Sequence, residues 1–169
     1  VAYSFNRLCS ADLPAKSALF DVASGKGFDG RLFMNGEEDR DGGRAFAHAV
    51  TGEQQGVSYE LPHLGKFAWE NAVANPATGP RTVVMGMDDS PGGQVYMYVG
   101  EKRNEGNPVE QAGLVGGDLY GIKVDGQRFG FVKFGDVAAM TGDELEKSGQ
   151  KMSITNFMRP EDGSWDGNN

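Results

Sequence analysis

Short apolar runs separated by glycine-rich turns make up most of this chain, with 26 glycines spread along 169 residues. Residues 94–99 alternate apolar with polar side chains, and residues 81–87 form a run rich in β-branched residues and methionine. Because successive side chains of a strand point to opposite faces, this pattern predicts short strands that are at least half buried. Strands joined by tight turns pair in chain order, so we expect an all-β chain built as an antiparallel meander.

Turn signals predict two hairpins. The first joins residues 81–87 to residues 94–99 through an Asp-Ser-Pro-Gly turn, and the second joins residues 119–124 to residues 129–134 around Asp125-Gly126. Shorter strands are expected at residues 44–50 and 57–61, with a turn at residues 51–56 between them.

One helix is predicted near the end of the chain. Thr141-Gly142-Asp143-Glu144 is a capping box, in which the glutamate side chain reaches back to the backbone N–H of the capping threonine. The helix is expected to end near residues 148–149, where serine and glycine follow one another. Residues 17–22 fit either a strand or a single helical turn.

A weak repeat of roughly 45 to 50 residues matches the period of β-propeller blades. The chain provides two to three such blades, whereas a closed propeller needs about four or more. We therefore predict an incomplete β-propeller, with residues 1–169 forming a single propeller segment of a larger domain. The run from Leu119 to Phe134 is too apolar for a hairpin left in water, so we expect order only when the chain packs against the rest of its propeller or against further copies of itself.

Composition excludes several classes of partner. The formal net charge of −8 disfavours nucleic acid, because binding a phosphate backbone needs a basic face. No apolar stretch approaches the roughly 20 residues of a membrane-spanning helix. Cys9 is the single cysteine, which excludes an internal disulfide, and we expect it to pack as a small apolar group.

Carboxylates follow the apolar runs at four places. Turns are often acidic for backbone reasons alone, so a single aspartate here carries little weight. Glutamate is not a turn former, and four of the six acids are glutamates. Oxygen ligands from several strand ends suit a hard cation, and we predict calcium. The candidate metal ligands are Glu37, Glu38, Glu70, Asp88, Asp89 and Glu161.

Five segments taken together resemble the bacterial PhoX-type family, which includes calcium-dependent alkaline phosphatases. These segments are Asn6-Arg7-Leu8-Cys9-Ser10-Ala11-Asp12-Leu13, Asn35-Gly36-Glu37-Glu38, Gly65-Lys66-Phe67-Ala68-Trp69-Glu70-Asn71, Gly86-Met87-Asp88-Asp89-Ser90 and Arg159-Pro160-Glu161-Asp162-Gly163. The resemblance runs across the whole chain and keeps the family's order. It implies a β-propeller whose central funnel holds metal ions, secretion to the periplasm or cell surface, and hydrolysis of phosphate esters.

The resemblance also implies residue roles. Glu37 and Glu38 fall in the family's metal-binding loop, and Arg159 is placed to approach a bound anion. Those phosphatases carry a cysteine that ligates iron immediately before the paired glutamates, and Gly36 stands there in this sequence. The absence of that thiolate disfavours an iron site, whereas calcium takes oxygen ligands and is still predicted.

Two functions follow from these features. The leading one is a calcium-dependent phosphate-ester hydrolase in which a metal-activated water attacks a phosphomonoester. The alternative is a non-catalytic calcium-binding surface or matrix protein that associates with itself, which Gly36 and the apparent truncation favour. A nucleophilic hydrolase is disfavoured, because no G-x-S-x-G motif is present and His48 and His63 have no evident serine partner. Trp69 and Trp165 are expected to pack beside the ligand loops.

Overall fold

The computed structural model describes residues 4–166, which form eleven strands and three short or medium helices. The strands are β1 (Leu8–Asp12), β2 (Phe20–Asp21), β3 (Lys26–Gly27), β4 (Leu32–Glu37), β5 (Ala45–Ala49), β6 (Ser58–Glu60), β7 (Trp69–Ala74), β8 (Arg81–Asp88), β9 (Val95–Glu101), β10 (Asp118–Asp125) and β11 (Arg128–Gly135). The helices are α1 (Lys16–Leu19), α2 (Pro108–Gln111) and α3 (Gly142–Lys151), and Pro62–Leu64 form a 3₁₀ turn.

A four-stranded antiparallel sheet is formed in the order β1-β4-β5-β6, with the first strand added at the edge beside β4. On one face of this sheet, three alanines of β5 pair with Gly36, Met34 and Leu32 of β4. These alanines are Ala45, Ala47 and Ala49, and the face is buried. The opposite face carries polar groups, since His48 lies between the side chains of Ser58 at 2.7 Å and Asn35 at 2.9 Å.

A five-stranded antiparallel meander follows in the order β7-β8-β9-β10-β11. Both predicted hairpins are confirmed, with β8 paired to β9 and β10 paired to β11 around Asp125. Tyr96, Tyr98 and Leu119 line one face and are almost fully buried. The alternate residues, among them Met85 and Met97, lie on the other face, as the period of a strand requires.

The two larger sheets pack face to face, with β7 lying against both β1 and β4. Trp69 fills the space between the sheets, its ring stacked on Phe67 with centroids 4.0 Å apart. Two stacked antiparallel sheets are the arrangement of neighbouring propeller blades, so the chain is all-β and propeller-like, as predicted. The two sheets match the lower bound of the predicted two to three blades.

Two helices lie between strands, and a third follows the last strand. The predicted helix is confirmed as α3, which starts with the expected capping box at Thr141 and continues to Lys151, slightly beyond the predicted end. Residues 16–21 form a helical turn and then a short strand, so both alternatives weighed for this stretch are partly realised. The helix α2 was not predicted, although Asn107 caps it in a second capping box. Within residues 4–166, no helix has the length and apolarity needed to cross a membrane.

We expect Thr141→Ala to lower the free energy of unfolding by about 1 kcal/mol, because the alanine removes an N-cap acceptor. The Thr141 hydroxyl accepts from the Glu144 N–H at 3.2 Å, and Glu144 accepts from the Thr141 N–H at 2.9 Å. Urea unfolding monitored by far-ultraviolet circular dichroism measures the change. The control Ser148→Ala, in the same helix, should stay within about 0.5 kcal/mol of the parent; equal losses in both variants would contradict the capping role.

Candidate metal centre

An irregularity in β1 brings two consecutive side chains to one carboxylate. The pairing of β1 with β4 shifts register between Leu8 and Ala11, which marks a β-bulge. In a regular strand Cys9 and Ser10 would point to opposite faces. Here the Cys9 thiol lies 3.1 Å from one oxygen of Glu70, and the Ser10 hydroxyl donates to the other oxygen at 2.9 Å.

The strand that carries Glu70 has an irregularity at the same level. In the β7–β8 ladder Trp69 pairs with Asp88 and Ala72 pairs with Gly86, so three steps along β7 match two along β8. Glu70 and Asn71 occupy this bulge. A bulge re-aims a side chain out of the regular alternation, and Glu70 is thereby directed across the gap between the sheets to β1.

Glu38 completes the group from the end of β4. The Glu38 N–H donates to the carbonyl of Arg7 at 2.8 Å, and Glu38 forms an isolated β-bridge with Ala68 just before β7. The Arg7 guanidinium forms an ion pair with the Glu38 carboxylate. One ligand atom from each of Cys9, Glu38 and Glu70 lies within 4.8 Å of the other two, and all three residues are half-buried.

Burial, followed by hydrogen bonds to Glu70 and Glu38, raises the pKa of the Cys9 thiol to about 11. Two carboxylates close to the sulfur stabilise its protonated form, because a thiolate there would meet like charges. The thiol is therefore a hydrogen-bond donor to the glutamates at neutral pH when no cation is bound. The prediction that Cys9 packs as a small apolar group is wrong, since its sulfur is part of a polar cluster.

The donor set of this cluster fits a divalent metal ion. Two carboxylates and a thiol are all groups that ligate metals, and they converge from three strands within one coordination sphere. The sulfur changes the expected selectivity, because calcium takes oxygen ligands and thiolates favour zinc or iron. Gly36 provides no sulfur at the end of β4, but Cys9 brings a sulfur to Glu38 and Glu70 from β1.

Glu37 lies on the face of β4 opposite to Glu38. Its carboxylate is buried and accepts from Arg44 Nε at 2.7 Å and Nη2 at 2.6 Å, and the Asn6 N–H donates to it at 2.7 Å. Burial opposes its charge, but the bonds from Arg44 and Asn6 together outweigh burial and lower the pKa of Glu37. The structure therefore places Glu37 in a buried ion pair and separates it from Glu38 and Glu70.

The acids at the end of β8 have different surroundings. Asp88 is buried and accepts from the Ser90 hydroxyl at 2.9 Å, and burial raises its pKa. Asp89 accepts two bonds of 2.8 Å from Nε and Nη2 of Arg159. Glu161 lies 3.5 Å from the same guanidinium and is largely exposed. None of these three acids joins the cluster of Cys9, Glu38 and Glu70 among the residues described.

The hydrogen bonds to Asp89, followed by the charges of Asp89 and Glu161, raise the pKa of the Arg159 guanidinium, and the charge of Glu38 adds a smaller effect. The Arg159 backbone adopts φ of 52°, a left-handed conformation that is uncommon for a residue with a side chain. The segment is fixed there by the Arg159 N–H, which donates to the Ser90 carbonyl at 3.3 Å, and by the bridge between Met158 and Pro91. The contact with Asp89 uses Nε and Nη2, so Nη1 is not part of it.

Gly36 lies where the two sheets approach most closely. A Cβ added at this position would be 2.3 Å from the Trp69 Cβ, a distance that real atoms do not tolerate. Any side chain here, cysteine included, therefore requires Trp69 to move. The glycine at position 36 is thus coupled to the tryptophan that fills the space between the sheets.

We expect Gly36→Ala to lower the free energy of unfolding by about 1–3 kcal/mol, because the added methyl group overpacks the contact with Trp69. Gly130→Ala is the matched control, since β11 leaves open space around that position and its φ is not positive. The control should be neutral or slightly stabilising, by up to about 1 kcal/mol. Urea unfolding compares the two, and an unchanged midpoint for Gly36→Ala would contradict the close approach.

The sequence predicts Glu38 and Glu70 as metal ligands, which the structure brings together, but three of their neighbours were not predicted. Cys9, Ser10 and Arg7 all lie in the first segment that carries the family resemblance, which was the available signal. Their convergence on the glutamates depends on the bulge in β1, and strand alternation gives no sign of such a bulge. His48 and Trp69 have the structural roles expected of them, and Trp165 donates from Nε1 to the Val73 carbonyl at 3.1 Å.

Comparison with known proteins finds a fold relationship. No family model and no curated protein matches the sequence. The fold is similar to that of Pseudomonas fluorescens PhoX, solved in complex with vanadate, a transition state analogue, with a TM-score of 0.64 and 14% sequence identity. The alignment covers 96% of this chain and 43% of that one, so this chain spans less than half the length of PhoX.

Proposed function

We propose that this chain carries the metal-binding part of a phosphate-ester hydrolase of PhoX-like type. The observation that carries the proposal is the convergence of Cys9, Glu38 and Glu70 from three strands on one point between the sheets. The PhoX structure contains vanadate as a transition state analogue, and the likeness of fold supports the same class of chemistry here. A bound metal ion would polarise a phosphoryl oxygen and lower the pKa of a coordinated water.

The residues of the chain have distinct proposed roles. Glu38 and Glu70 hold the ion, and the Ser10 hydroxyl orients Glu70 by donating to the oxygen that the thiol does not contact. Such outer contacts fix the orientation of a ligating carboxylate. Glu37 supports Glu38 indirectly, because its bonds to Arg44 and Asn6 anchor the strand end from which Glu38 projects.

Arg159 is the proposed anion-binding residue. Its guanidinium is held by Asp89 through Nε and Nη2, and Nη1 is not part of that contact. A planar guanidinium with free N–H groups suits the oxygens of a phosphate. Asp89 and Glu161 accordingly act by positioning Arg159 in this proposal, which replaces direct metal binding as their main role.

Two kinds of ion are distinguished by the donor atoms. Calcium was expected from oxygen ligands alone, and it remains the prediction for acids such as Asp88 that offer only oxygen. The cluster that contains the Cys9 sulfur is proposed to prefer zinc or ferrous iron, because thiolate ligands select softer ions.

Titration of the metal-free chain with zinc and with calcium tests the ligand assignment. Glu70→Gln should weaken zinc binding by about tenfold or more, which corresponds to roughly 1.4 kcal/mol. Cys9→Ser should weaken zinc binding by a similar factor and leave calcium binding within about twofold. The control is Glu53→Gln, a change at an exposed turn residue. Equal zinc affinity in Glu70→Gln and the control would remove Glu70 from the site.

Hydrolysis of p-nitrophenyl phosphate and of other phosphomonoesters by the metal-loaded full-length protein tests the activity. Arg159→Ala should raise KM more than it lowers kcat, since Arg159 is proposed to bind the phosphate group, whereas Glu70→Gln should abolish turnover. Lys147→Ala removes a cation from the exposed face of α3 and serves as the control. Metal binding without turnover of any ester would contradict the hydrolase.

That outcome would favour the second candidate function, a non-catalytic metal-binding surface or matrix protein. The cluster joins β1 and β4 of one sheet to β7 of the other, so an ion held there would cross-link the two sheets. Such a metal stabilises the fold without chemistry, and its removal would lower the melting temperature. Secretion to the periplasm or cell surface is proposed with either function, as the family resemblance implies.

A further inference from the structure

The Glu38 carboxylate takes part in two interactions that involve positive charge. It converges with Cys9 and Glu70 on one point between the sheets, and it also forms an ion pair with Nη2 of Arg7. Within residues 4–166, Arg7 has no other carboxylate partner. The charge of this arginine therefore lies directly beside the proposed metal centre, and the proposed function gives it no role.

Arg7 is held more loosely than the two other arginines that pair with acids in this region. Arg44 makes bonds of 2.6 and 2.7 Å to a buried carboxylate, and only 22% of its side chain is exposed. Arg159 makes two bonds of 2.8 Å to Asp89. Arg7 contacts Glu38 through one nitrogen, and 65% of its side chain is exposed. Exposed ion pairs contribute little to stability, so little is lost when the Arg7 side chain leaves Glu38.

The backbone that carries Arg7 is fixed independently of its side chain. The Glu38 N–H donates to the Arg7 carbonyl at 2.8 Å, and the Asn6 N–H donates to Glu37 Oε1 at 2.7 Å. Leu8 pairs with Glu37 at the start of β1. Because none of these bonds involves the guanidinium, the side chain can change its partner while the strand keeps its place beside the end of β4.

We propose that Arg7 neutralises Glu38 when no metal ion is bound and binds the phosphate group of the substrate when an ion is bound. A divalent cation and a guanidinium compete for the negative charge of Glu38, so a cation held by Glu38 and Glu70 weakens the ion pair and repels Arg7. The released side chain stays near the ion because its backbone is fixed there. This role of Arg7 rests on the proposed metal centre, and it makes anion binding depend on metal binding.

The surroundings of a released Arg7 suit a phosphate group. A guanidinium has five N–H donors in one plane and can pair with two oxygens of a phosphate. Arg159 is linked to the same end of the sheets, since Glu38 bridges Ala68, the Ala68 carbonyl accepts from the Asp89 N–H at 2.9 Å, and Asp89 holds Arg159. Two guanidiniums beside a cation provide the positive charge that the dianion of a phosphomonoester requires.

A different role for Arg7 would be outer support of the site, like that of Ser10 toward Glu70. Groups that donate to a ligating carboxylate orient it and strengthen metal binding. Ser10 is neutral, whereas Arg7 adds a positive charge next to the cation, and that charge favours competition over support. The two roles predict opposite changes in metal affinity when Arg7 loses its charge.

Isothermal titration calorimetry of the metal-free full-length protein with zinc measures the competition. Arg7→Gln should bind zinc about threefold to tenfold more tightly than the parent, because an exposed competing charge and its repulsion are removed. Arg7→Lys keeps the charge and should bind zinc within about twofold of the parent. Arg128→Gln removes an equal charge from an exposed position of β11 and controls for the change in net charge.

Phenylphosphonate, an analogue of a phosphomonoester that is not hydrolysed, measures the anion binding. With zinc bound, Arg7→Gln should bind this probe about tenfold or more weakly than the parent, because charge-assisted hydrogen bonds are lost. Without zinc, the parent and the variant should bind it equally weakly. The two expected changes have opposite signs, which distinguishes them from misfolding, since a misfolded variant would lose both affinities. Circular dichroism checks the fold of each variant.

The possible outcomes separate the role of Arg7 from the metal centre. Weaker zinc binding by Arg7→Gln would overturn the competition and assign outer support to Arg7. Unchanged binding of phenylphosphonate by the zinc-loaded variant would overturn the anion-binding role. Normal zinc binding by the parent with no effect of Arg7→Gln would contradict the role of Arg7 alone, whereas failure of both proteins to bind zinc would remove the metal centre and this role together.

Discussion

The insertion of Trp69 between two glycines holds the two larger sheets at their observed separation. A side chain at Gly36 would collide with the Cβ of Trp69, and one at Gly86 would meet the indole ring at 2.6 Å. The indole is fixed by Phe67 stacked at 4.0 Å and by a bond of 3.2 Å from Nε1 to the Gly65 carbonyl. Because the indole fills the space left by two absent side chains, β7 lies close enough to β1 and β4 for their polar groups to meet.

The cluster of Cys9, Glu38 and Glu70 depends on that short separation and on two strand irregularities. Without the bulges, Cys9 and Ser10 would diverge from one another and Glu70 would follow the alternation of β7. The bulges interrupt the regular ladder pairing at that level, and they bring the side chains of Cys9, Ser10 and Glu70 together. Trp69 immediately precedes Glu70. The residue that sets the distance between the sheets therefore also fixes the backbone position from which the Glu70 side chain extends.

Much of the fold followed from periodicity and turns, and the site followed only in part. The β8–β9 and β10–β11 hairpins and the start of α3 were predictable because local signals specify them. The separation of Glu37 from Glu38 also follows from strand alternation, whereas the pairing of Glu37 with Arg44 depends on a partner strand. The role of Cys9 could not be predicted, because it arises from an irregular strand and from a contact with Glu70, 61 residues away in the chain. Short helices such as α2 depend on packing more than on their own few residues.

Because of the bulge in β1, the regular pairing of this strand with β4 and its side-chain contacts with Glu70 oppose each other. Deleting one residue there would restore an uninterrupted ladder with β4, and a regular ladder satisfies more backbone hydrogen bonds than a bulged one. The same deletion would turn either Cys9 or Ser10 away from Glu70. A one-residue deletion in β1 would therefore break the contacts of Cys9 and Ser10 with Glu70 while leaving the pairing with β4 regular.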